Sequence, residues 1–217
     1  MDRYSGFEEL KRHEKEGVDY RIRARLGYSG IAVLSIHGGD IEPGTSQIAD
    51  AIAGHEHTFY ALEGIKGSGN LALHIKSTLF DEPNVLEILG RAEITLSIHG
   101  CREKEPMVHI GGLDLELRRR VLKGLRGAGF DARECSRSQL DGIEQANICN
   151  LCRRGMGVQL EISRGLRDRM FGDLTPQGRQ VPTELFHRFV QAVRDALEPF
   201  RKPRGEWAVS AGSERLL

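Results

Sequence analysis

The sequence lacks any apolar run approaching the ~20 residues of a membrane span. Its opening, MDRYSGFEELKRHEKEG, is charged and has no apolar stretch of the kind a secretion signal needs. Net charge is also missing, with 31 Lys and Arg against 31 Asp and Glu. Overall charge therefore lends no support to general binding of nucleic acid or a membrane surface. No linker, low-complexity segment or composition shift divides the 217 residues. The four cysteines, Cys101, Cys135, Cys149 and Cys152, stand in a chain with no visible export signal. They are expected as reduced thiols in a cytoplasmic protein. What remains is a globular chain, 39% hydrophobic and 29% charged, long enough to bury one core. The expectation is one domain over residues 1–203, a weakly ordered tail at 204–217, and a monomer.

Short strands and helices alternate along it. Tyr4, Phe7 and Leu10 fall at helical spacing. DYRIRARLG (19–27) alternates like a strand, and IAVLSI (31–36) is a continuous apolar run that suits a strand buried on both faces. SQIADAIAG reads as a helix with Thr45 or Ser46 as N-cap and Gly54 as C-cap. Strands are expected at TFYALEG, NLALHIKST, EITLSI (93–98), MVHIGG, DARECS and GVQLEIS (157–163). Helices are expected from Asn84 to Arg91, over LDLELRRRVLKGLRGAGF and over TELFHRFVQAVRDALEPF, with IEQANICNLCRRGMG as loop. This order predicts an α/β fold, a single domain with a mixed, mostly parallel sheet flanked by helices.

Two of the strands end on the same five letters, LSIHG, delivering His37 and His99 each followed by glycine. Sites in open α/β sheets lie beyond the carboxyl ends of strands. Glu42 follows His37 by five residues. Two histidines and a glutamate are one of the ligand sets of catalytic zinc, with a fourth position left for water. Glu161 sits inside the otherwise apolar VQLEIS, where an unpaired carboxylate is costly. It suits a general base that takes a proton from the attacking water and passes it to the leaving amine. The plainer alternatives are structural histidines, and for Glu161 a salt bridge to Arg164 or Arg167. Cys149-x2-Cys152 offers a rival metal or redox motif, but no second CxxC accompanies it.

With these residues in hand, the sequence resembles the poly-γ-glutamate hydrolase family of phages and bacilli. The likeness runs from about Tyr4 to Phe171, through HGGDIEPGTSQIADAIAG, YALEG, LHIKSTLFDEP, SIHGC, IGGLD, NICN and GVQLEISRGLR. It implies a zinc carboxypeptidase-like fold (phosphorylase/hydrolase-like). One Zn2+ would be held by His37, Glu42 and His99, with Glu161 as catalytic base. The implied substrate is anionic poly-γ-glutamate or a γ-glutamyl peptide, each unit with a free α-carboxylate. Arg164, Arg167, Asn147, Asn150 and His74 are the expected substrate contacts, because Arg can hold a carboxylate through two parallel bonds. For the arginines the alternative is plain helix surface. Two departures stand out: His-x4-Glu in place of the His-x2-Glu of zinc carboxypeptidases, and Lys76 and Leu79 where the family segment carries threonine and histidine.

The resulting expectation is a zinc-dependent amide hydrolase cutting γ-glutamyl bonds. It would act in the cytoplasm, or outside the cell after release by lysis. The alternatives are the same fold acting on a peptidoglycan stem peptide or small N-acyl amino acid, and a non-catalytic zinc-binding protein.

Overall fold

The structure is a computed structural model and describes residues 2–137 and 140–202. The expected tail at 204–217 lies outside the described residues. A seven-stranded sheet runs through the centre. Its strands are β1 (Tyr20–Arg25), β2 (Ile31–Gly39), β3 (Thr58–Gly64), β4 (Ile94–Cys101), β5 (Val108–Gly111), β6 (Ala132–Glu134) and β7 (Val158–Ser163). Across the sheet they lie in the order β1-β3-β2-β4-β7-β5-β6. The block β3-β2-β4-β7 is parallel, while β1 joins it antiparallel at one side and β5 with β6 antiparallel at the other. The sheet is thus mixed, as the alternating sequence predicts.

The helices are α1 (Phe7–His13), α2 (Thr45–Ala53), α3 (Pro83–Arg91), α4 (Leu115–Gly127), α5 (Arg164–Met170) and α6 (Glu184–Leu197). They cover the sheet in two layers. On one face Val33, Phe59, Leu96, Ile98, Leu160 and Ile162 pack with Ile48 of α2, Val121 of α4 and Phe189 of α6. On the other, Leu34, Ile36, Tyr60 and Leu62 pack with Leu10 of α1 and Val85 of α3. All nine residues of β2 are buried, as its unbroken apolar run requires. Among the described residues no helix is long and apolar enough to cross a membrane.

The path of the chain sets the place of the site. From β2 the chain goes to β3 on one side, and it later returns to β4 on the other side of β2. Between the carboxyl ends of β2 and β4 the strand order reverses, which opens a crevice at the sheet's edge.

Three expectations change. NLALHIKST is not a strand: Asn70–Leu73 forms a 3-10 turn entered through Gly69 at φ 76°. The Asn70 side chain bonds both backbone groups of Lys66. Leu73 and Ile75 are still buried, but against the α1/α3 face, and the outer edge of β3 is already taken by β1. Helix α2 starts from Gly44 at φ 97° with no side-chain cap, because Thr45 and Ser46 bond the preceding loop instead. Helix α5 was not visible in the periodicity, being only seven residues long, with Ser163 as its N-cap.

His57 supplies a test of the core. It is buried, its Nδ1 lies 2.7 Å from Ser29 Oγ, and burial together with Arg194 pushes its pKa down to about 4. A depressed histidine is neutral in the fold. Its contribution is complete above the ordinary value near 6.5 and disappears as pH falls toward 4. Urea unfolding should lose about 3 kcal/mol more over that window in the wild type than in His57→Gln. Parallel pH curves for the two proteins would contradict it.

Candidate active site

His37 and Glu42 belong to one loop tied down by its own polar groups. Glu42 N donates to His37 O (2.9 Å), Thr45 Oγ1 to Glu42 O (2.8 Å), and Gly39 N to Ser46 Oγ (3.1 Å). Pairing of β2 with β3 shifts between Ser35 and Gly38, one extra residue standing in β2. Ser35, before the bulge, bonds Thr45 at the start of α2, whereas His37, after it, meets Ile75 and His74. A bulge that re-aims a side chain at a site edge is its common use. His99 comes from the end of β4, opposite Glu161 of β7 in register.

The two rings converge through Nδ1. His37 Nδ1 lies 3.1 Å from His99 Nδ1 and 3.3 Å from Glu42 Oε1, and His99 Nδ1 lies 3.8 Å from Glu42 Oε2. The outer nitrogens are both engaged. His37 Nε2 meets Ile75 O at 2.7 Å, and His99 Nε2 meets Ser97 Oγ at 2.8 Å. A carbonyl can only accept, so His37 carries its proton on Nε2 and presents a lone pair from Nδ1. Such outer bonds are how ligating histidines are oriented. Donors held at 2.0–2.2 Å by one tetrahedral ion stand about 3.3–3.6 Å apart. The observed separations fit that spacing. Among the described residues these three are the one group of His, Cys, Asp or Glu placed to hold a metal. Cys149 and Cys152 are free, buried thiols, bonded to Gly142 O and Met156 O.

Charge reinforces the arrangement. Burial alone would raise Glu42, but His37, His99 and the Gly100 N–H outweigh it, and its pKa lies below the usual carboxylate range. Burial and the neighbouring His37 push His99 down to about 3, so it is neutral at pH 7. Burial would also lower His37, but Glu42 reverses that and holds it above its ordinary value. Glu161 goes the other way. Burial first, then the charge of Glu42, raise it well above the carboxylate range.

Glu161 makes no salt bridge to Arg164 or Arg167. Its Oε1 accepts from Gln159 Nε2 (2.9 Å), and Gln159 Oε1 accepts from Asn147 Nδ2 (3.1 Å). Gln159 is a site residue not among those expected from the sequence. Its signal lies in VQLEIS, where period-two alternation puts Gln159 and Glu161 on one face, as TLSIH does for Ser97 and His99.

The expected contacts divide between two cavities that share Asp2, Glu42, His74 and Gly100. His37, His99, Glu161, His74, Asn147, Lys76 and Gln159 line one of about 680 Å³. Arg164 and Arg167 line the other, of about 960 Å³. His74 stacks on His37 with centroids 3.9 Å apart and bonds Asp2 through Nδ1 (2.8 Å). Asn150 lines neither. Its Oδ1 accepts from the backbone of Leu113 and Gly157 and its Nδ2 donates to Gly142 O and Glu144 O, so it braces the loop instead.

The glycines after the two histidines have packing roles. A Cβ at Gly38 would meet Ser46 Oγ at 3.0 Å, and one at Gly100 would fall 2.6 Å from Arg167 Cζ. Arg167 is buried and bonds Ile162 O, Pro43 O and Cys101 O.

This is a single-domain α/β protein with a buried metal-type triplet and a buried acid at the switch point of its sheet. The chain belongs to the poly-gamma-glutamate hydrolase family, which it matches over residues 4–192. Among relatives, the UPF0714 protein YndL of Bacillus subtilis is 37% identical over 194 residues, 88% of this chain and 76% of YndL. The SPbeta prophage-derived YoqZ of the same organism is 37% identical over 191 residues, 87% and 69% of the two chains. The structure of a bacteriophage poly-gamma-glutamate hydrolase superposes with a TM-score of 0.88 at 31% identity, over 92% of this chain and 98% of that one. The zinc-free apo form of YndL gives 0.87 at 36%, over 91% and 98%.

Gly100→Ala tests the seat of Arg167. The added methyl displaces a buried, tethered guanidinium, and urea unfolding should show a loss of about 1–3 kcal/mol. Gly67→Ala, where a Cβ meets nothing within 4 Å, should lose far less. Equal stability of the two variants would contradict the packing role.

Proposed function

We propose that this chain is a zinc-dependent hydrolase of γ-glutamyl amide bonds in poly-γ-glutamate, with His37, Glu42 and His99 holding one ion and Glu161 as general base. The observation that carries the reading is the convergence of two oriented Nδ1 atoms and one ionised carboxylate beside a second, protonation-prone carboxylate. When bound, zinc supplies Lewis-acid chemistry, polarising a carbonyl and making water acidic enough to attack near neutral pH.

The chain's own residues do the rest. Gln159 fixes one oxygen of Glu161, and among the described residues the other oxygen has no hydrogen-bond partner. Glu161 takes the proton from the attacking water. It then returns that proton to the leaving nitrogen. His74, braced by Asp2, and Asn147 form the wall on which the substrate rests. Arg164 and Arg167 supply cationic donors for α-carboxylates. Two joined cavities suit an extended chain better than a small N-acyl amino acid.

The test pairs chemistry with metal content. Glu161→Gln should bind zinc as the wild type does, yet shorten poly-γ-glutamate about 10²–10⁴ times more slowly, read by polymer size against time. Near-normal turnover in the zinc-loaded variant would remove Glu161 from the mechanism. No shortening by zinc-loaded wild type would remove the substrate assignment.

A further inference from the structure

The two cavities that meet at the cluster differ in charge. The larger is lined by Arg102, Arg167, Arg3, which pairs with Glu14, and Arg164, which pairs with Asp168. Its carboxylates are already committed: Asp40 pairs with Arg179, Asp2 with His74, and Glu42 belongs to the cluster. The smaller holds Asp141 and Glu144, neither of which forms a salt bridge among the described residues, and a single lysine, Lys76.

The arginines are brought together by structure. Arg164 and Arg167 stand one turn apart on α5. The loop after β4 is docked on the start of that helix, where Gly165 N donates to Glu103 O (3.0 Å) and a Cβ at Gly165 would fall 1.7 Å from Lys104 O. That docking sets Arg102 beside Arg167, whose guanidinium bonds the carbonyl of Cys101. Arg102 is exposed and has no hydrogen-bond or ion-pair partner among the described residues. Arg167 is buried yet meets only neutral carbonyls within bonding distance. Those bonds leave some of its N–H donors unused, and a carboxylate entering this cavity meets them.

Glu161 lines only the smaller cavity. We infer, resting on the reading of Glu161 as the group that protonates the leaving nitrogen, that substrate lies in one direction. Its acyl-side units place their α-carboxylates on Arg102 and Arg167 in the arginine cavity, and the amine-side unit lies against Lys76, Asp141 and Glu144. Hydrolysis adds water across the amide. The carbonyl side leaves as a carboxylate among arginines. The nitrogen leaves as an amine that is mostly protonated at neutral pH, facing carboxylates. Recognition is therefore asymmetric. Each added acyl-side unit gains a cationic partner, while each added amine-side unit brings a carboxylate toward acidic groups.

The experiment uses the zinc-loaded protein and defined γ-linked glutamate oligomers of two to six units, their amino ends closed by a neutral fluorophore. Cut positions are mapped by mass, and binding of a tagged trimer, an acyl-side product, is titrated separately. Lengthening on the acyl side should raise kcat/KM, and Arg102→Glu should remove that gain, raising KM and weakening trimer binding about tenfold with kcat little changed. Asp141→Asn with Glu144→Gln should relax the limit on amine-side length and leave trimer binding intact. Cleavage that ignores acyl-side length, or trimer affinity unchanged by Arg102→Glu, overturns the directional reading and leaves the proposed function standing. Trimer binding that depends on Arg102 without any cleavage keeps the carboxylate cavity and sinks the function.

Discussion

Two imidazole nitrogens held 3.1 Å apart, with a carboxylate oxygen 3.3 Å from one of them, form a site that needs a positive charge at its centre. Lone pairs so placed repel unless a proton or a metal cation lies among them. The protein enforces the arrangement from outside. The Ile75 carbonyl and the Ser97 hydroxyl hold the far nitrogens, and the Gly100 N–H holds the second carboxylate oxygen. None of these bonds can be relaxed without turning a ring or a carboxylate away from the common point.

The surroundings follow from that constraint. His37 reaches the point only because a bulge in β2 turns it toward His74, and Glu42 only because the loop into α2 closes on its own carbonyls. Glu161 lies beside His99 across the β4/β7 pairing, where burial and the charge of Glu42 raise its pKa, while the two histidines hold Glu42 low. Gly100 is bare because the Arg167 guanidinium needs its space. One short stretch of β4, from Ser97 to Cys101, therefore orients a ring, supplies that ring, anchors a carboxylate and seats a cation.

Much of this could be read from the sequence. The repeated LSIHG gave both histidines and their strand ends, and the order of strands and helices gave the mixed α/β sheet. Glu161 stood out as an acid in an apolar strand. What could not be read depends on neighbours far away in the chain. NLALHIKST has the residues of a strand, but the edge of the β3 strand it follows is already taken by β1. Asn150 looks like a polar contact, yet all its capacity goes to backbone groups of the surrounding loops. Arg102 carries no local signal, and its place beside Arg167 depends on a loop docking onto α5. Gln159 was legible in principle, through the alternation it shares with Glu161.

The site proposed at His37, Glu42 and His99 holds one ion. The measurement to make is zinc equivalents per chain after dialysis against a weak chelator, for wild type and for His37→Ala, Glu42→Gln and His99→Ala. One equivalent is expected in the wild type and a large loss in each variant, with folding retained by circular dichroism. Undiminished zinc in folded variants, or zinc lost instead on replacing Cys149 and Cys152, would contradict it.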